Sequence, residues 1–191
     1  MKKTKIERLE TILWDRWLLL KIYCEDGTIG IGEAGVHGWQ RPTKVMIETM
    51  EPYLIGKDPS LIEHHYQWLY RSSHFMGSIV QGALSAIDIA LWDIKGKVSG
   101  LPVYDLLGGR YRDPVRLYCN AWFTGCSTPE EYAKAAKSNV VDNGHTACKL
   151  DPFLEMTQYH TMYQDGFISE EGEQLGYDIV AAVREVYGPK N

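Results

Sequence analysis

Cysteine is scarce in this chain: four residues in 191, at positions 24, 119, 126 and 148. No two stand in the CxxC spacing of a zinc ribbon or a redox motif. Three lie among apolar, strand-like neighbours, where a small buried thiol is the ordinary role, so a reduced, cytoplasmic protein is expected. Basic charge is also short. A net charge of −5 and a pI near 5.7 leave no basic face for nucleic acid. Long apolar runs are missing. The most apolar stretch, Trp17 to Tyr23 (WLLLKIY), is broken by Lys21 and is far too short to span a bilayer. No glycine-rich phosphate loop follows a strand-like segment, which removes a nucleotide-binding α/β domain. The remaining composition, 45% apolar and 24% charged, is that of an ordinary globular protein.

What the chain does have is one dominant helical pattern. From Ser78 apolar residues recur at Val80, Leu84, Ile87, Leu91, Ile94 and Val98, steps of three and four that return once per turn. A second row, Ala83, Ile87, Ala90 and Ile94, includes two small residues that let a neighbouring element come close. Gly96 and Gly100 loosen the end, Pro102 stops the helix, and Leu106-Leu107-Gly108-Gly109 reads as a closing turn.

Before this helix, Ile6–Leu13, Trp17–Cys24 and Ile29–Glu33 read as strands, with Glu25-Asp26-Gly27-Thr28 as a hairpin turn. Together they predict a three-stranded antiparallel sheet. Thr43 to about Met50 reads as a helix entered at Pro42 and left by Pro52. Ser60 and Glu63 have capping-box spacing for a second helix through Tyr70. After Asp113 the pattern changes to strand (Val115–Trp122), helix (from Ser127 to Val141), strand (Thr146–Leu150) and helix (about Glu171 to Tyr187), the repeat of a parallel α/β fold. The connection Pro152–Ser169, with Tyr159, His160, Tyr163 and Phe167, is long, and long βα connections tend to carry function.

The run ALSAIDIALWDIKGKVSGLPVYDLLGG, Ala83 to Gly109, resembles the helix-and-turn signature of the mandelate racemase and muconate lactonizing group of the enolase superfamily. The resemblance implies an α+β capping domain over residues 1–113, followed over 114–191 by the first two βα units of a (β/α) TIM-type barrel. A whole barrel takes about 250 residues, so the barrel is expected to be incomplete here: the chain looks truncated, or needs a partner.

The same resemblance implies a reaction. A divalent metal, usually Mg2+, holds a substrate carboxylate while a base removes the α-proton, and the cation stabilises the enediolate. The family's metal ligands end the third, fourth and fifth barrel strands, so they are expected beyond residue 191 and none is assigned here. The second strand ends Lys149-Leu150-Asp151. Family members with a Lys-x-Lys pair there use the second lysine as base; Asp151 in its place points away from a lysine-base racemase and towards a sugar-acid dehydratase of galactonate type. Lys149 and Asp151 are thus the candidate catalytic residues, and an ordinary surface ion pair is the plainer reading of both.

Substrate contacts are expected from the capping loops, which in this family close over the barrel. Glu33 to Trp39 offers His37 and Trp39; Arg71 to Gly77 offers Arg71 and His74. Near the first barrel strand's end Asn120 and Trp122, sharing a face with Tyr118 by alternation, either line the pocket or pack in the core. His64, His65 and His145 read as surface or helix-end residues, and adjacent His64 and His65 cannot face one metal from a helix. The expected partner is a small sugar acid, with no nucleic acid or membrane, and a homo-oligomer when full length. The alternatives are a racemase or cycloisomerase of the same group, and a non-catalytic fragment or interaction module.

Overall fold

Three antiparallel strands open the chain: β1 (Ile6–Trp14), β2 (Trp17–Cys24) and β3 (Ile29–Glu33), in that spatial order. The structure is a computed structural model that describes residues 4–153, 163–164 and 167–188. It divides into two compact units, Met1–Tyr111 and Arg112–Asn191.

In the first unit, alternation sets the sheet's inner face. Leu18, Leu20, Ile22 and Cys24 of β2 are all buried, and each buried Leu or Ile side chain contributes about 1.5–3 kcal/mol of transfer free energy. The helices α1 (Gln40–Leu54), α2 (Ile62–Arg71), α3 (Ser78–Ser99) and α4 (Val103–Leu106) follow. The apolar stripe of α3 is the centre of the core: Val80, Leu84, Ile87, Leu91 and Ile94 are buried, together with Ala83, Ala86 and Ala90. Gly100 ends the helix in the left-handed conformation, φ 65°, where a glycine carries no Cβ penalty.

Helix side chains reach both free edges of the sheet. At the β1 edge the Leu9 amide donates to Glu51 Oε1 of α1 at 3.0 Å. At the β3 edge the Ile31 amide donates to Asp93 Oδ2 of α3 at 2.8 Å. One turn on, Lys97 Nζ donates to the Ile29 carbonyl at 2.7 Å and to Asp93 at 2.6 Å. Unpaired edge groups are templates for unwanted pairing, and these contacts satisfy three of them, the Leu9 and Ile31 amides and the Ile29 carbonyl.

Several local expectations change. Helix α1 is longer at both ends than the Thr43–Met50 span. Its entry is fixed when the Trp39 carbonyl accepts the Thr43 amide at 3.1 Å and the Thr43 hydroxyl at 2.8 Å. Pro52 lies inside the last turn rather than beyond it, where only one backbone bond is forfeited. The capping box of Ser60 and Glu63 does not form. Helix α2 starts at Ile62 after Leu61 with no side-chain cap; the Ser60 amide instead donates to Asp58 Oδ1 at 2.8 Å, and Glu63 accepts from Gln67.

His65 is buried, 1% exposed, rather than a surface or helix-end residue. Its Nε2 lies 2.9 Å from the Asp58 carbonyl and its Nδ1 3.0 Å from the Tyr53 hydroxyl. A carbonyl only accepts, so Nε2 carries the proton and Nδ1 accepts from Tyr53.

In the second unit, helix α5 (Pro129–Ala136) is started by Thr128, whose hydroxyl accepts the Glu131 amide in a full capping box. A π-helical turn, Lys137–Val141, continues it. After a short antiparallel pair, β4 (Tyr163–Gln164) and β5 (Phe167–Ile168), helix α6 runs from Glu170 to Tyr187. Tyr132, Ala136, Val140, Ile179 and Val183 form this unit's core with Trp122 and Phe123. The segments expected as strands over Val115–Trp122 and Thr146–Leu150 pair in parallel at one bridge, Cys119 to Cys148. Tyr159 and His160 of the long connection lie outside the described residues. Among the described residues no helix is long and apolar enough to cross a membrane.

Candidate binding loops and strand end

The loop Glu33–Trp39 in the first unit is folded against the start of α3. Gly82, in the second turn of α3, leaves room for Val36: a Cβ there would lie 2.3 Å from Val36 Cγ2. Ala34 is buried and Val36 half-buried, so the loop is anchored through its apolar residues. His37 and Trp39 are exposed, Trp39 by 56%. The Trp39 amide closes a turn on the Val36 carbonyl at 3.1 Å, and Gln40 Nε2 donates to the Arg16 carbonyl at 2.8 Å. An indole and an imidazole are thereby held outward on a fixed turn.

The second loop, Arg71–Gly77, leads directly into α3. Arg71 and His74 are exposed, and Ser72 and Ser73 spend their hydroxyls on the Leu69 and Phe75 carbonyls. Because Gly82 is little more than one turn past Gly77, both loops meet the same end of α3. The four residues His37, Trp39, Arg71 and His74 supply imidazoles, a guanidinium and an aromatic face, groups that hydrogen-bond and stack on a hydroxylated anion.

In the second unit the strand ends are tied together at three levels. The Arg116 guanidinium donates to Thr146, at 3.1 Å to Oγ1 and 2.6 Å to the carbonyl. The Cys119 amide donates to Ala147 and the Lys149 amide to Cys119, at 3.0 and 2.9 Å. Trp122 Nε1 donates to the Lys149 carbonyl at 2.8 Å. Trp122 is itself held by Asn139, which donates to its carbonyl at 3.0 Å, and packs edge-on against Phe123 and Tyr132.

Trp122 is therefore a core residue, 6% exposed, while Tyr118 and Asn120 are exposed. They do not share a face. Ala121 stands at φ 57°, and one left-handed residue breaks the period-two alternation. Lys149 and Asp151 are both exposed. Asp151 Oδ1 accepts the Phe153 amide at 3.1 Å, starting a turn. The Phe153 ring then lies against Gly176 of α6, where an added Cβ would come within 2.5 Å of the ring. The turn is pinned at both ends, and the Lys149 side chain is exposed beside it. Among the described residues no three His, Cys, Asp or Glu side chains group to hold a metal.

The family model described as "Mandelate racemase / muconate lactonizing enzyme, N-terminal domain" matches residues 7–108. The chain belongs to the mandelate racemase/muconate lactonizing enzyme family. Its first unit, with the three-stranded sheet under α1–α4, is the N-terminal capping domain of the enolase superfamily. The chain is 36% identical over 190 residues to a D-galactonate dehydratase of Pectobacterium atrosepticum, covering 98% of this chain and 46% of that relative. A member of the enolase superfamily from Salmonella Typhimurium superposes with a TM-score of 0.84 at 31% identity, covering 97% of this chain and 52% of that one. An enolase from Pantoea ananatis with bound D-gluconate and magnesium gives a TM-score of 0.67 at 35% identity, covering 76% and 36%. The chain thus spans between about a third and a half of the length of these family members.

Proposed function

We propose that this chain serves a sugar-acid dehydratase, acting on an aldonate such as D-galactonate or D-gluconate. The observation that carries this reading is the continuous similarity to a D-galactonate dehydratase along 98% of the chain, through both units. The reaction removes the proton on C2 and expels the C3 hydroxyl; the resulting enol becomes a 2-keto-3-deoxy acid. Magnesium supplies the charge that stabilises the enediolate in such chemistry, and the described residues here contribute binding and positioning instead.

In this reading Lys149, at the end of the second strand and locked there by Trp122, neutralises the substrate carboxylate. Asp151 occupies the place of a second lysine, which favours dehydration over lysine-based racemisation. His37, Trp39, Arg71 and His74 of the capping domain, and Asn120 of the second unit, recognise hydroxyls. A site built to hydrogen-bond hydroxyls rejects analogues that lack them by large factors.

The test is steady-state kinetics of the native protein with magnesium on D-galactonate and D-gluconate. His37→Ala and Trp39→Ala should raise KM, and Lys149→Met should abolish turnover, with the fold intact by circular dichroism. Unchanged kinetics in both loop variants overturns the loop assignment. Full activity in Lys149→Met overturns the role of the strand end.

A further inference from the structure

We propose that Cys119 and Cys148 are a modification site, forming a reversible disulfide across the two parallel segments of the second unit. The four cysteines are free thiols, and these two are the bridge partners of the parallel pair. Bridge partners present their side chains on the same face, with strands about 4.8 Å apart. That spacing lies inside the roughly 4.4–6.8 Å Cα separation that a disulfide spans and just beyond its roughly 3.5–4.5 Å Cβ separation, so closure draws the two segments slightly together.

The register cannot slip, because it is fixed on both sides of the pair. Arg116 forks onto Thr146 before it, and the Trp122 indole holds the Lys149 carbonyl after it. The thiols stand between the strands and the helices, with the Tyr187 hydroxyl against Cys148 and Cys119 close by. Both cysteines are partly exposed. A largely apolar cavity of about 260 Å³ opens onto Cys148, flanked by Arg116 and Arg184. Oxidised glutathione serves as the external disulfide that reaches Cys148 through this opening.

The chemistry balances by thiol–disulfide exchange. The Cys148 thiol gives up its proton and its thiolate attacks one sulfur of the external disulfide, expelling the first small thiolate. The Cys119 thiolate then attacks Cys148 Sγ in the mixed disulfide and expels the second. Two electrons pass to the external disulfide, which becomes two thiols, and the protein loses two hydrogens. Cys24 is not a competitor: it is 2% exposed in the core of the first unit.

The experiment incubates the folded native protein with oxidised glutathione, blocks remaining thiols with N-ethylmaleimide, and maps the digest by mass spectrometry. The expected result is one linked pair of peptides, carrying Cys119 and Cys148, that dithiothreitol separates. Cys126→Ser should keep the link; Cys148→Ser and Cys119→Ser should each lose it. If both thiols of the wild-type protein are recovered blocked, carry only glutathione, or link through Cys126, the proposal fails. The wild-type map decides this even where a variant does not fold.

Discussion

Gly32 of β3 lies directly against Ala86 of α3: a Cβ at Gly32 would come within 2.0 Å of the Ala86 carbonyl oxygen. Two residues earlier, Gly30 meets the Ala90 carbonyl in the same way, at 2.2 Å. Strand and helix thus touch backbone to backbone along a seam of glycine and alanine. The obstacle at each site is main chain, which cannot rotate aside.

Gly32→Ala should therefore destabilise the capping domain by about 1–3 kcal/mol or more, the cost of overpacking a close-packed core. Urea unfolding followed by tryptophan fluorescence reads this as a lower midpoint. Gly27→Ala, at a hairpin turn with open space around it but φ 84°, is the control for backbone strain without a clash.

The edge of β3 makes a second prediction. Asp93→Ala deprives the Ile31 amide of its acceptor and leaves Lys97 only the Ile29 carbonyl. The expected loss is about 0.5–1.5 kcal/mol, the net worth of a hydrogen bond whose exposed amide regains water. Self-association should also rise, since the edge becomes available for pairing; sedimentation velocity checks this, and Asp93→Asn should behave more mildly.

His65 predicts a pH dependence. Burial, the largest cause, pushes its pKa below the ordinary value. The unfolded chain takes up a proton near pH 6.5 that the folded state refuses, so stability is full above that pH. It falls as pH drops through about 6.5 and levels off once the folded histidine also titrates. Asp88, raised by burial and by Glu63, acts with the opposite sign, so the difference between wild type and a His65 variant over pH 8 to 5 isolates the histidine. His65→Gln should flatten the slope over that window.

The fold was legible where its determinants were local. The three strands, the Gly27 hairpin and the α3 stripe follow from alternation and helical periodicity, and the small residues of α3 already implied a close neighbour. What was illegible depended on distant partners. His65 looked like a surface residue because Tyr53 and the Asp58 carbonyl, which bury and satisfy it, reach it only in the folded chain. Nothing in the sequence marks Ala121 as left-handed, so Trp122 was expected on the face of Asn120. Likewise Cys119 and Cys148 share no short motif. Their equivalence appears only when the two segments are aligned by their ends, each one residue before Asn120 and Lys149.

Trp122 offers a prediction that joins fold to function. Trp122→Phe keeps the aromatic packing and removes the indole donor to the Lys149 carbonyl. A cost of about 1 kcal/mol is expected for the lost bond. If Lys149 positions a substrate carboxylate, kcat/KM should fall by about tenfold or more through misplacement of that cation. Unfolding and kinetics on the same preparation separate the two effects.

The proposed reaction is the dehydration of a sugar acid. Proton NMR of the purified native protein with magnesium and D-galactonate or D-gluconate tests it most directly. Loss of the C2 proton signal and growth of the C3 methylene signals of a 2-keto-3-deoxy acid are expected. Substrate that stays unchanged, or that epimerises at C2 and keeps its C3 hydroxyl, would contradict it.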